Sequence, residues 1–267
     1  MIDPTPPLAE QTSLPPRPFS VWPLYLCLGV FGAWGTAHHL GIDFQALIWG
    51  AGDMTEYIRR FGRPEFVNFP RTATLMAETL AIALWGTAIA LTLAVILAPL
   101  AARNLSPHPI LYRIARELLN GFRALPDLLL ASIFVAALGL GPLPGVLAIG
   151  LHSAGFLGKV LAEILERVDA GTYEAVRSTG ANFSQLIMWA GWPSALQEAT
   201  GYAIFLIDRN VRVAAILGLV GAGGIGMELT VAFRLFQYDR AAGLVLVVLF
   251  VIVSIDYASD WARRRVR

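Results

Sequence analysis

The chain has 267 residues, 56% hydrophobic and only 15% charged, with a formal net charge of +1 and a mean hydropathy of +0.62. Soluble domains carry nearer a quarter charged residues, so the composition marks a membrane protein. The near-neutral balance argues against nucleic acid as a partner, and the single cysteine, Cys27, excludes a disulfide framework or a cysteine metal site. This length accommodates about six spans of roughly 20 residues.

Residues 1–18 are rich in proline and polar groups and read as a disordered cytoplasmic tail. The first apolar run, Ser20 to Leu40, is longer than a signal-peptide core. Asp3 and Glu10 precede it, so an uncleaved span is favoured over a cleaved leader. Residues 43–61 place Phe44, Leu47, Ile48, Ala51, Met54, Ile58 and Phe61 on one helical face. That pattern predicts an amphipathic helix lying on the outer membrane surface or packed across the bundle's periplasmic end. The expected division is therefore a tail (1–18), a first span with its amphipathic segment (19–73), and a transmembrane domain (74–267) containing a cytoplasmic loop at 174–193.

The second span is predicted from Thr74 to Ala102, with Glu78 either facing water or lining a path through the bundle. A cytoplasmic loop, 103–118, leads to a third span, Leu118 to Leu138, where Arg123 and Asp127 are four apart and can pair. A fourth span, Gly145 to Leu165, holds His152 and Ser153 at mid-depth, with Lys159 and Glu163 as a second predicted pair. The fifth runs from Pro193 to about Val220. A loop at 227–240 then precedes a sixth, Ala241 to Asp260. Lys and Arg are in excess on the segments that this order places inside, so both termini are read as cytoplasmic.

Two stretches stand out. Glu174 to Pro193 is the long polar-rich piece between apolar spans. It predicts a short helix, a turn at Gly180, and a second helix N-capped by Asn182 with Phe183, Leu186, Ile187 and Ala190 on one face. The other stretch is intramembrane: Asp208, Arg209, Asn210 and Arg212, followed by Gly221, Gly223, Gly224 and Gly226. Asp208 lies roughly 20 Å in from Pro193 at helical rise. It can pair with Arg212, four residues on, and the whole group is then a structural ion pair. In the alternative, Arg209 and Asn210 line a water-filled path suited to an oxyanion, because a guanidinium forks onto paired oxygens. The glycines lack a Walker lysine or a strand–turn–helix setting and read as close helix packing or a bend. The four histidines (38, 39, 108, 152) form no metal pattern, and no catalytic triad is present.

The loop 174–193 resembles the cytoplasmic loop of ABC-importer permeases. That loop reads Glu-Ala-Ala, three residues, Gly, nine residues, Ile, one residue, Leu, Pro. Glu174, Ala175, Gly180 and Pro193 match it, while Val176, Ala190 and Trp192 depart from it. The stretches RALPDLLLASIFV, LHSAGFLGKVLAEILE and DRNVRVAAILGLVGAGGIG resemble the phosphonate-uptake branch of that family, which also includes phosphite and hypophosphite importers. The resemblance implies an all-α integral membrane protein with the type I importer permease fold. It also implies a bacterial inner-membrane homodimer with two cytosolic ATP-binding subunits and a periplasmic substrate-binding protein. ATP and magnesium would belong to the partner, with no cofactor on this chain and no catalysis by it. Methionine permeases share the glycine-rich stretch but not the charged cluster, so another small solute remains the alternative. A secondary transporter is the remoter one, since no internal repeat is visible.

Overall fold

The computed structural model describes residues 21–41, 45, 49–66 and 68–266; the expected tail and most of residues 42–48 lie outside them. Every regular element among the described residues is helical. The chain divides into two compact units, residues 1–55 and 56–267.

In the first unit, α1 (Trp22–His39) has proline in its first turn, where a missing N–H costs nothing, and buries none of its side chains. Helix α2 (Ala51–Phe61) is what the structure describes of the amphipathic segment. Its Met54 is exposed; residues 56–61 of the same helix belong to the second unit, where Ile58 is exposed and Phe61 stacks on Phe233 at 6.3 Å.

The second unit is built around α3 (Phe69–Ala101) and a helix, α6, spanning Pro142–Arg167. Between them come α4 (Pro109–Ala124) and α5 (Asp127–Leu138). Helices α3 and α6 approach closely because small residues face each other. A Cβ at Gly86 would stand 2.7 Å from Ile149 Cγ2, and one at Gly150 would stand 2.9 Å from Ile89 Cγ2. In lipid there is little hydrophobic drive between helices, so this intimate packing supplies the attraction.

After α6 come α7 (Ala170–Arg177), α8 (Phe183–Leu186), a π-helical stretch at Ile187–Gly191, and α9 (Trp192–Leu217). A 3₁₀ turn, Gly218–Val220, leads to α10 (Gly224–Arg234) and α11 (Tyr238–Val266). Helix α9 packs against both α3 and α6, and α11 packs against α9 and α10.

Among the described residues, three helices are long and apolar enough to cross a membrane: Phe69–Ala101, Pro142–Arg167 and Tyr238–Arg265. Two bent pairs bring the number to as many as five among the described residues, one short of the expected six.

The expected third span, Leu118 to Leu138, is not one helix. Pro126 forces Leu125 into extended backbone (ψ 135°), and α4 meets α5 at 86°. The supposed loop 103–118 is accordingly half helix, since α4 begins at Pro109. The supposed loop 227–240 is mostly α10, and α11 starts three residues before the predicted span.

Candidate functional site

Three consecutive residues of α9 reach three different neighbours, because successive side chains diverge by about 100° around a helix. Asp208 is buried and takes both nitrogens of the Arg212 fork, at 3.1 and 2.6 Å; Arg212 also reaches Asp256 of α11 at 2.9 Å. Arg209 turns the other way and donates through Nη2 to Asp127 Oδ2 at 3.1 Å, at the first residue of α5. Asn210 is wholly buried. It donates to Thr87 Oγ1 of α3 and accepts from Ser153 of α6, each at 2.9 Å.

His152, beside Ser153, joins the same layer. Its Nδ1 lies 3.0 Å from the Leu125 carbonyl and its Nε2 lies 2.9 Å from Asp127 Oδ1. The second approach is an ion-pair contact without hydrogen-bond alignment, so Oδ1 keeps no aligned donor; Arg209 Nη1, also buried, has no partner at all. Unmatched buried N–H groups are uncommon, and this one belongs to a cation at the meeting of α5, α6 and α9.

The predicted Asp208–Arg212 pair is thus present, whereas two other predicted pairs are not. Arg123 cannot reach Asp127 across the break at Pro126, and its guanidinium lies over the Phe156 ring at 5.8 Å. Lys159 turns to Asn120 at 3.5 Å instead of to Glu163.

On the way from this layer to the start of α9, a cavity of 780 Å³ is lined by Ser194, Gln197, Gly201 and Phe205, with Phe156 and Arg263 opposite. Those four α9 residues are three to four apart and continue to Arg209, so a single helix face runs from the cavity to the free guanidinium nitrogen.

The glycine-rich stretch lies at the other end of α9. Gly221, Gly223 and Gly224 have φ of +89°, +81° and +71°, a backbone region that favours glycine. Gly226 serves close approach: a Cβ there would collide with the Ala215 carbonyl oxygen. Glu78 accepts from the Gly224 N–H at 3.1 Å, and the Thr79 hydroxyl accepts from Ile225 N at 2.9 Å. Both complete the first turn of α10, where N–H groups lack helical partners. Glu78 also borders a second cavity of 510 Å³ with Arg71, Glu228 and Arg240, so it caps a helix and faces open space at once.

The segment 174–193 has the predicted form. Asn182 accepts from Gln185 N at 3.0 Å and the Gln185 side chain returns the bond at 2.9 Å, a capping box. Gly180 turns the chain at φ +80°. Leu186, Ile187 and Ala190 are buried as the spacing implied. Pro193, expected to close the segment, lies instead in the first turn of α9. Tyr173 anchors the segment from below, its hydroxyl donating to the Leu165 carbonyl at 2.9 Å; burial pushes this phenol up, so it stays a donor. Glu174, Ala175 and Gly180 are left exposed.

A family model described as the binding-protein-dependent transport system inner membrane component matches residues 90–267. The chain is 41% identical over 201 residues to the phosphite transport system permease protein PtxC of Stutzerimonas stutzeri, covering 75% of this chain and 73% of that protein. The chain belongs to this family.

It is also 44% identical over 225 residues to the phosphate-import permease protein PhnE of Mycolicibacterium smegmatis, covering 84% of this permease but only 42% of that longer relative. A solved structure of the MetNI methionine ABC transporter in an inward-facing conformation matches with a TM-score of 0.57 at 23% identity, over 73% of this chain and 94% of the other. That likeness establishes the type I importer permease fold and nothing finer. The permease is a multi-pass inner-membrane transport subunit.

Sequence reasoning missed several residues of the permease. His152 and Asp127 lie 57 and 82 positions from Arg209, and Pro126 was the one local sign that Asp127 would start a helix. Met188 and Trp189, 67% and 75% exposed, form an apolar patch on the loop 174–193. Large apolar groups in an otherwise polar loop were the available signal.

Proposed function

We propose that this permease carries a phosphorus oxyanion (a phosphonate, phosphite or a close relative) into the cytoplasm as part of an ATP-driven importer. The observation that carries the reading is Arg209, whose Nη1 has no partner where α5, α6 and α9 meet. A guanidinium presents paired donors to phosphorus-bound oxygens, and a cation held in a span attracts an anion across an otherwise apolar barrier. The relatives at 41% and 44% identity are named for phosphite and phosphate, which favours this class over methionine.

In this reading two copies of the chain form the path, each contributing the α9 face from Ser194 through Phe205 to Arg209. Asn210 serves as a tie between helices and Asp208 with Arg212 as a structural pair. The segment 174–193 docks on a cytosolic ATP-binding subunit through Glu174, Ala175 and the turn at Gly180, with Met188 and Trp189 adding apolar contact. The partner binds ATP and magnesium, and a periplasmic binding protein delivers the solute to the outer end. Gly221 to Gly226 with Glu78 shape the outer bend that rearranges during gating. Binding along the path is weak, since a tight site would stall release.

The test is uptake into vesicles reconstituted with this chain, its ATP-binding subunit and its binding protein. ATP-dependent accumulation of phosphite or methylphosphonate, without accumulation of methionine, is expected. Methionine uptake, or uptake that persists without the ATP-binding subunit, would contradict the reading.

A further inference from the structure

Helix α11 is one of the three helices apolar and long enough to cross a membrane, and its sides differ. Leu244, Val248, Val251 and Ile255 turn inward and pack against the core. Phe250, Tyr257 and Trp261, seven and four residues apart, share another face and are all exposed. From Phe250 to Trp261 that face extends about 16 Å, half of the roughly 30 Å hydrocarbon layer. Tyrosine and tryptophan near the end of a span suit the boundary between acyl chains and headgroups, because an apolar ring with one polar atom fits both sides.

Three arginines follow, and they divide. Arg263 turns toward α9: it donates to Asp260 at 2.6 Å and borders the cavity that Phe205 lines. Arg264 and Arg265 stand three and four positions beyond Trp261 and so flank the aromatic face. Both are exposed, and among the described residues neither meets a carboxylate. The Arg265 guanidinium lies over the Trp261 ring, its Cζ 4.2 Å from the centroid. Stacking occupies the face of the guanidinium and leaves its N–H edge available. It also orders beforehand a side chain that binding would otherwise have to immobilise.

The partner that fits must be anionic at one end and apolar below it. An acidic protein surface would satisfy the two arginines but not the aromatic face beneath them. A phospholipid has both parts: phosphate oxygens for the guanidinium donors and acyl chains for Phe250, Tyr257 and Trp261. The arginine distribution places this end of α11 on the cytoplasmic side, where the leaflet carries anionic lipid. We propose that Arg264 and Arg265, with Trp261 as platform, bind an anionic phospholipid of the cytoplasmic leaflet. The bound headgroup fixes the depth of α11, the helix whose Asp256 holds Arg212. The inference is independent of which solute is carried.

The experiment uses the complete transporter, delipidated in detergent and titrated with dioleoyl phosphatidylglycerol or dioleoyl phosphatidylcholine. Native mass spectrometry counts the bound lipid, and the melting temperature of each sample is measured beside it. Phosphatidylglycerol is expected to bind the parent about tenfold more tightly than phosphatidylcholine and to raise its melting temperature. The Arg264→Gln, Arg265→Gln double variant should lose both the preference and the thermal shift. Trp261→Leu keeps both charges but removes the platform, and should weaken phosphatidylglycerol binding about threefold. Arg113→Gln, which removes an exposed arginine of α4, should bind lipid as the parent does. Excess inorganic phosphate should leave the lipid in place; displacement would assign the arginines to a free oxyanion and overturn the proposal. An equal preference for phosphatidylglycerol in the parent and the double variant would also overturn it. So would unchanged lipid binding joined to lost co-purification of the ATP-binding subunit, which would make this basic end a protein contact.

Discussion

Asn210 donates to the Thr87 hydroxyl at 2.9 Å although 123 positions separate the two in the chain. The same amide accepts from Ser153, so one buried side chain fastens α9 to both α3 and α6. Thr87 meanwhile returns its own hydrogen to the Ala83 carbonyl at 2.6 Å, leaving its oxygen free to accept. Removing Asn210 strands Ser153 and leaves a void where α3, α6 and α9 meet. Asn210→Ala is expected to destabilise the protein by about 1–2 kcal/mol, given about 0.6 kcal/mol per interhelical bond in membranes plus the unsatisfied partner. Thermal unfolding in lipid nanodiscs measures this; an unchanged melting temperature would show that the tie carries no weight.

A second expectation concerns the bend after α9. Gly218 and Gly226 face each other so closely that a Cβ on Gly218 would stand 2.5 Å from Gly226 Cα. Gly226→Ala should push α10 away from α9 at a cost of about 1–3 kcal/mol, the usual range for overpacking. Gly121→Ala, where a Cβ meets nothing within 4 Å, should be neutral or slightly stabilising in its helix. Equal stability for the two variants would contradict the packing account.

The loop 174–193 gives a third. Proline cannot reach φ +80°, so Gly180→Pro must rebuild the turn, while Gly180→Ala strains it by roughly 1 kcal/mol. Membrane insertion should remain normal for both. Co-purification with the ATP-binding subunit is expected to collapse for the proline variant and to weaken modestly for the alanine one. A proline variant that co-purifies and transports at the parent level would exclude this loop as the coupling element.

Orientation supplies a fourth. In a Cys27→Ala background, Ser184→Cys should react only with reagent that reaches the cytoplasm and Gln237→Cys only from the periplasm. Both parent residues are exposed in the structure. Labelling of Ser184→Cys from outside would invert the topology inferred from the arginine distribution.

Local features were legible in the sequence, and the encounters between distant helices were not. Asn182 with Gln185 three residues later announces a capping box, and both partners lie within one turn. The Asp208–Arg212 pair follows from i,i+4 spacing alone. Arg123 and Asp127 have the same spacing yet do not pair, because Pro126 breaks the helix between them and turns the chain by 86°. The periodic rule holds only within an unbroken helix. The partners of Arg209 and Asn210 come from α3, α5 and α6, so packing decides them, and the sequence offered only the signal that polar groups in spans need partners. The extra helix at 224–234 was hidden because glycines open it and Glu78 and Thr79, from a different helix, cap it.

The central claim is that the Arg209 fork, not merely its charge, eases an oxyanion through the membrane. Arg209→Lys keeps the cation and its attraction to Asp127 but loses the planar donors. Uptake of phosphite by the reconstituted transporter, measured beside the thermal stability of the same complex, separates the two roles. The account predicts at least a tenfold loss of uptake, equivalent to about 1.4 kcal/mol, with assembly, ATP hydrolysis and melting temperature retained. Unchanged uptake in Arg209→Lys, or a loss that only follows lost stability, would contradict it.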